Sequence, residues 1–275
     1  MSFTLSDLLQ GMYSGLGQLQ VGQASGGEVD ALVDETLAGQ HADDEWKGGT
    51  LFVAAADGEA PEGAYGRVAG YEGSSGTFTL GESLGAAVAA GDIYGLASAY
   101  YPLMTMIELA NAALRALGDI ALVDTVAPEA GSVAGEYTAA LAWKRRRPLR
   151  IDEVSGNQVV TRHDWEYIPA APGQNGAIGF ESGLTAGCQL RVWYVDVHPR
   201  LRVFDDVVSE TIAPELAVAA GVVRALQWQQ ARQEGHDPGL AAKLESADDT
   251  LLQARLRFPI WMPRRRARLL AIPRA

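Results

Sequence analysis

The side chains in this sequence that could do chemistry are four histidines, one cysteine, two adjacent serines and two short carboxylate runs. His41, His163, His198 and His236 never fall three or four residues apart, so no helical zinc pair of the HExxH kind can form from them. Each reads as a surface or loop histidine. Cys188 is the single cysteine, which excludes an intramolecular disulfide and a multi-cysteine zinc site; between Gly187 and a strand-like run it reads as a small packed residue. Ser74 and Ser75 lie in Gly73-Ser-Ser-Gly76, which lacks the G-x-S-x-G spacing of a nucleophile elbow and reads as a hairpin turn. Asp43, Asp44 and Glu45 are hard-cation ligands by type but lack the alternating order of a calcium loop. Asp205 and Asp206 precede a helix, whose positive end carboxylates favour. There is no Walker loop and no GxGxxG. The expectation is a protein that is not an enzyme and takes no metal or cofactor.

The arginines say more. Lys144, Arg145, Arg146 and Arg147, with Arg150, stand at the start of a β-rich stretch, where charge protects an edge strand from pairing. Arg264, Arg265, Arg266 and Arg268 lie in a C-terminal segment that also carries Phe258, Trp261, Leu269, Leu270 and Ile272. Pro259, Pro263 and Pro273 deny this segment a helix, and a merely solvating tail rarely holds so much apolar surface. Arginine beside aromatics is the composition of an interface anchor, so Phe258, Trp261, Arg264, Arg265, Arg266, Arg268 and Leu269 are expected to dock on a partner.

Charge is divided unevenly along the 275 residues. Residues 1–100 hold 14 acids against Lys47 and Arg67, a balance of −12, which is the whole net charge of the chain. Residues 251–275 hold seven arginines and no acid. An acidic head and a basic end suggest separate surfaces for separate partners, and the acidic balance disfavours sequence-specific DNA binding. No apolar run approaches the roughly 20 residues of a membrane span, and the N-terminus has no signal-like pattern, so a soluble chain is expected.

The elements that must position these groups follow from spacing. Thr4 and Asp7 form a capping box before an apolar face of Leu5, Leu8, Leu9 and Met12, Gly15–Gly27 reads as a loop, and Val29, Leu32, Val33 and Leu37 fit a second short helix. Residues 46–98 hold four or five short alternating segments, a small barrel or sandwich. The segment 103–118 is the cleanest helix, with Thr105 and Glu108 as its capping box, Leu103, Ile107, Leu114 and Leu117 along one stripe, and Gly118 as its stop. A second β region covers 136–204, and Pro214 and Asp237-Pro238 open two final helices with Leu216, Val223 and Leu226 inward. The expected architecture is α+β. An N-terminal helical segment (1–45) and the small β domain (46–98) precede a helical core (99–135 and 205–258). That core flanks the second β region (136–204) and leads to an extended tail (259–275).

Two segments carry a family resemblance. The helix from Tyr101 to Gly118, with its Ala-Leu-Arg-Ala-Leu-Gly ending, resembles the leading helix of head–tail adaptor proteins of tailed bacteriophages. Residues 208–228, with the late helical hairpin and extended tail, are similar to the same family. The resemblance implies a structural virion protein of the neck, assembled in the host cytoplasm. It implies a homo-oligomeric ring, about twelve-fold, between portal and tail or nozzle proteins. DNA passes through its channel without specific binding, and the tail reaches into the portal. Another tail component (tube, terminator or receptor-binding module) is the second reading, prompted by the two β regions. A hydrolase of surface polymer is the third.

Overall fold

The computed structural model describes residues 2–56, 62–128, 136–138 as backbone, 148–168, 177–233 and 237–263. They form two compact units: residues 1–118 with 198–259, and residues 119–197 with 260–275.

The first unit opens with α1 (Leu5–Gly15), whose Thr4–Asp7 capping box is present. The remaining first-turn N–H groups are satisfied by the turn at 203–206: Leu5 donates to Asp206 O (2.9 Å) and Ser6 to Phe204 O (3.2 Å). Seven strands follow: β1 (Leu19–Gln23), β2 (Gly26–Glu28), β3 (Ala31–Val33), β4 (Thr50–Ala55), β5 (Tyr65–Glu72), β6 (Thr77–Leu80) and β7 (Ile93–Ala97). They pair antiparallel in the order β1-β7-β4-β5-β6-β3-β2. As an open sheet its edges would lie about 29 Å apart. Gln23 and Gly26, the adjoining ends of those two edge strands, are three residues apart in the chain and at most about 11 Å in space. The sheet therefore closes on itself, with β1 and β2 as one bent strand. A register shift between Val68 and Gly70 turns β5 through a second corner. Leu32, Leu51, Val53, Val68, Phe78 and Tyr94 fill the inside.

Three helices complete this unit: α2 (Leu103–Ala116), α3 (Pro214–Arg232) and α4 (Pro238–Arg257). Helix α3 packs against each of the other helices. Its approach to α1 depends on glycine. A Cβ on Gly221 would stand 2.5 Å from Met12 Sδ, and one on Gly11 2.6 Å from Val218 Cγ2.

The second unit is a sandwich. One sheet has the order β11-β10-β14-β8, from β8 (Asp119–Val126), β10 (Arg150–Ser155), β11 (Gln158–Arg162) and β14 (Gln189–Val197). The other has the order β12-β13-β9, from β9 (Glu136–Thr138), β12 (Trp165–Ile168) and β13 (Ala177–Phe180). Ile151, Leu190, Val192 and Tyr194 from the first sheet meet Ile178 and Phe180 from the second in one core.

The expected helical core with two small β regions is thus incorrect. Among the described residues the protein is mostly β, in sheets of seven, four and three strands with four α-helices. The error begins at residues 15–37, where the expected loop and second helix are β1, β2 and β3. Val29, Leu32, Val33 and Leu37 satisfy a helical period, yet only Leu32 is fully buried of Ala31–Val33, the alternation of a strand. Val29 is exposed in the turn. Gly27 fixes that hairpin, because a Cβ there would lie 2.3 Å from Ala31 O. The start of α2 also differs. Pro102 occupies the N-cap with no side-chain hydrogen bond, so Thr105 and Glu108 lie inside the helix and form no capping box. Gly118 has φ +99°, the left-handed stop its position suggests.

Candidate functional site

The surface most in want of an explanation is α4. Asp237 caps it by accepting from the N–H groups of Gly239 (2.8 Å) and Leu240 (3.2 Å), and Pro238 supplies a preset first turn. Its first half packs on α3, with Leu240, Leu244 and Ala247 against Val222 and Leu226. Beyond that the cover thins. Only Leu240 and Ala254 are fully buried over the helix's 20 residues, while Leu252 is 54% and Leu256 71% exposed. Arg255 and Arg257 are exposed beside them.

The same unit holds a half-open cavity of about 390 Å³. Tyr65, Leu103, Met104, Ile107, Leu201 and Phe204 make its apolar wall, and Glu82, Glu108, Arg200 and Arg202 its charged one. Glu108 is ion-paired with Arg200, and Glu82 accepts from the Arg67 N–H at 2.8 Å. Tyr65 stacks on Phe204. Its hydroxyl is buried with no hydrogen-bond partner among the described residues, and burial raises its pKa. Asn111, which sequence reasoning passed over as one polar residue in an apolar helix, fastens the adjoining segment. Its side chain accepts from Leu201 N (2.7 Å) and donates to Leu201 O (3.0 Å).

Of the residues proposed for the helical core, Ile107, Leu114, Leu216, Val223 and Leu226 are buried; Leu103 and Leu117 are half-buried. In the tail, Phe258 is half-buried, with the Arg257 guanidinium over its ring at 5.3 Å. Trp261 lies edge-on to Trp193 of the second unit, ring centroids 5.3 Å apart, and stays 49% exposed. Arg264, Arg265, Arg266, Arg268 and Leu269 lie outside the described residues, as do Lys144–Arg147 and His236.

The titratable groups among the described residues do not converge on a reacting centre. Glu45 accepts from Ala42 N (3.2 Å) and Asp44 from Lys47 Nζ (2.8 Å) within the local turn, while Asp43 accepts from Gly73 N (2.8 Å) and Asp44 from Tyr71 N (3.3 Å), which ties this turn to β5 and the turn after it. Asp206 accepts from Val203 N at 3.0 Å and from Arg202 N, and these N–H groups hold its carboxyl below the usual range. Ser75 bonds Glu72 and Thr77, both at 2.8 Å. Cys188 is buried, which pushes its thiol pKa up and leaves it a poor nucleophile. No group of three or more His, Cys, Asp or Glu side chains among the described residues could hold a metal ion, and no described helix is long and apolar enough to cross a membrane.

His198 differs from the expected surface histidine. It is buried, donates from Nδ1 to Pro199 O (2.6 Å) and accepts at Nε2 from Ser209 N (3.0 Å), which requires the neutral ring. Burial lowers its pKa. The unfolded chain takes up this proton near pH 6.5 and the folded chain resists it. Stability should therefore be flat above about pH 6.5 and fall as the pH drops below it, until the folded ring also titrates. Melting temperatures between about pH 8 and 5 check this: the slope should shrink in H198F, and an unchanged slope would assign it to other groups.

In the second unit the densest polar cluster surrounds Arg162. This guanidinium pairs with Glu153 and with Asp164 (2.7 Å), donates to Ser182 O (3.0 Å) and Oγ (2.7 Å), and sits over Phe180 at 5.1 Å. Every member has a partner, so the cluster serves to lock the loop after β13 to the β10–β11 hairpin. Compared with known proteins, the chain matches no family model and no curated sequence.

Proposed function

We propose that the chain is a structural virion subunit, a head–tail adaptor that forms a ring between portal and tail around the DNA channel. The observation that supports this reading best is α4, a 20-residue helix whose last two turns carry exposed leucines and arginines. Adjacent apolar and basic side chains left open in this way are available to a neighbouring subunit. The charge division agrees with the reading. An acidic first hundred residues repel phosphates, so DNA slides past rather than sticks, and the arginine-rich end suits carboxylates on a portal surface.

The test is to incubate the purified chain with portal protein and measure particle mass, alone and after deletion of residues 259–275. The full chain should join the portal as a multi-copy ring, and the truncated chain should stay folded and lose attachment. A full chain that remains separate from the portal at every concentration removes the reading. Attachment unchanged by the deletion removes the tail's role, and a truncated chain that fails to fold places the tail in the core instead.

A further inference from the structure

We infer that β11 is a docking edge for a second copy of this chain, the two β11 strands pairing antiparallel about Val160 and joining two sheets into one. β11 is the outer strand of its sheet, paired with β10 on one side. Val159 and Val160 point to opposite faces and are 50% and 53% exposed, so the edge is open on both. Edge strands are ordinarily guarded by charge, proline or a bulge. The opposite edge of the same sheet, β8, carries Asp119 and Asp124. β11 has no Lys, Asp, Glu or Pro and runs in unbroken register with β10. Its one cation, Arg162, is engaged by Glu153 and Asp164.

The hairpin fixes which backbone groups face outward. Ser155 and Gln158 flank the two-residue turn Gly156-Asn157, so they form a hydrogen-bonded pair, and bonded and non-bonded pairs alternate from there. Gln158, Val160 and Arg162 thus direct their N–H and C=O groups to β10, and Val159 and Thr161 direct theirs to the edge. Among the described residues nothing bonds these outward groups. A two-fold axis through Val160 sets Val159 of each copy opposite Thr161 of the other, so both outward sets bond reciprocally. The same register faces Val160 with Val160 and Gln158 with Arg162, so no like charges are opposed and the β-branched side chains meet each other. An edge that is complementary to itself in this way is what an isologous contact between two copies requires.

The paired area is small, so the dimer should be weak, with a Kd on the order of 100 µM. Sedimentation of the full chain should show it, and V160K, which sets two ammonium groups face to face, should weaken it about tenfold or more. V159P should do the same with the hairpin still folded, because the N–H it removes faces the edge and not β10. V160C should oxidise to a disulfide-linked dimer, since facing non-bonded positions lie within disulfide reach and the native Cys188 is buried. V159C, which faces Thr161 rather than its own copy, should link far less. A chain that stays monomeric at every concentration with V160C unlinked overturns the pairing, as does equal linking by V159C. Self-association unchanged in V160K and V159P belongs to another surface and overturns it too. The pairing stands apart from the ring reading, because portal attachment and V160C linking are separate measurements and either fails without the other.

Discussion

Replacing Arg162 by alanine should destabilise the second unit by about 3–5 kcal/mol, the cost of leaving buried carboxylates without their cation. The Arg162 and Glu153 side chains are 10% and 7% exposed, and Asp164 25%. Glu153 would lose its counter-charge where water does not replace it, and Asp164 where water replaces it only in part. Asp164 is held well below the usual carboxylate range chiefly by the Arg162 hydrogen bond. Burial pushes Glu153 up, but bonds from Thr185 and Arg162 outweigh it and the net shift is downward. Depressed carboxylates stabilise above their unfolded pKa of about 4 and lose that contribution as the pH falls through the folded values. Urea unfolding should thus show the R162A penalty in full near neutral pH and a smaller one in acid. A penalty below about 1 kcal/mol at neutral pH would mean the cluster behaves as an exposed pair. The triple variant R162M/E153M/D164L should recover much of the loss, because apolar groups of similar volume leave no charge unpaired.

Leu114→Ala should cost the first unit about 2–5 kcal/mol. Leu114 is fully buried in α2, which packs between α1 and α3. The spread in cost reflects how far the neighbours can collapse into the space, and here they are held. Asn111, one turn earlier, pins Leu201 through both backbone atoms, and α1 is seated on α3 through glycines that leave no slack. The upper half of the range is therefore expected, read as a fall in the urea midpoint with an unchanged slope. A neutral substitution would show that α2 is not held in this core. Leu117→Ala is the control; half-buried, it should cost less.

The sequence by itself determined the elements whose signals are local. The α1 capping box depends on Thr4 and Asp7, the start of α3 on Pro214, the cap of α4 on Asp237, and the stop of α2 on Gly118. In each case the bonding partner lies within a turn of chain, so spacing suffices. The strands between Thr50 and Ala97 were legible for the same reason, as alternation bounded by turns. The tertiary structure decided the rest. Residues 19–33 join a barrel only because β7 and β6 are there to pair with them, through Val21–Gly95 and Leu32–Phe78, partners more than 40 residues away. Without those edges residues 15–27 read as a loop, and the apolar spacing of Val29, Leu32, Val33 and Leu37 fits a helix. Asn111 and His198 likewise acquire roles only from Leu201 and Ser209. The gathering of arginine and apolar residues at one end of the chain was legible in composition, but Leu252 and Leu256 were not singled out by it, and the expected Arg264, Arg265, Arg266, Arg268 and Leu269 lie outside the described residues. Which side chains near the end of α4 remain uncovered depends on how helices and barrel pack, because burial belongs to pairs of surfaces and a sequence lists only one at a time.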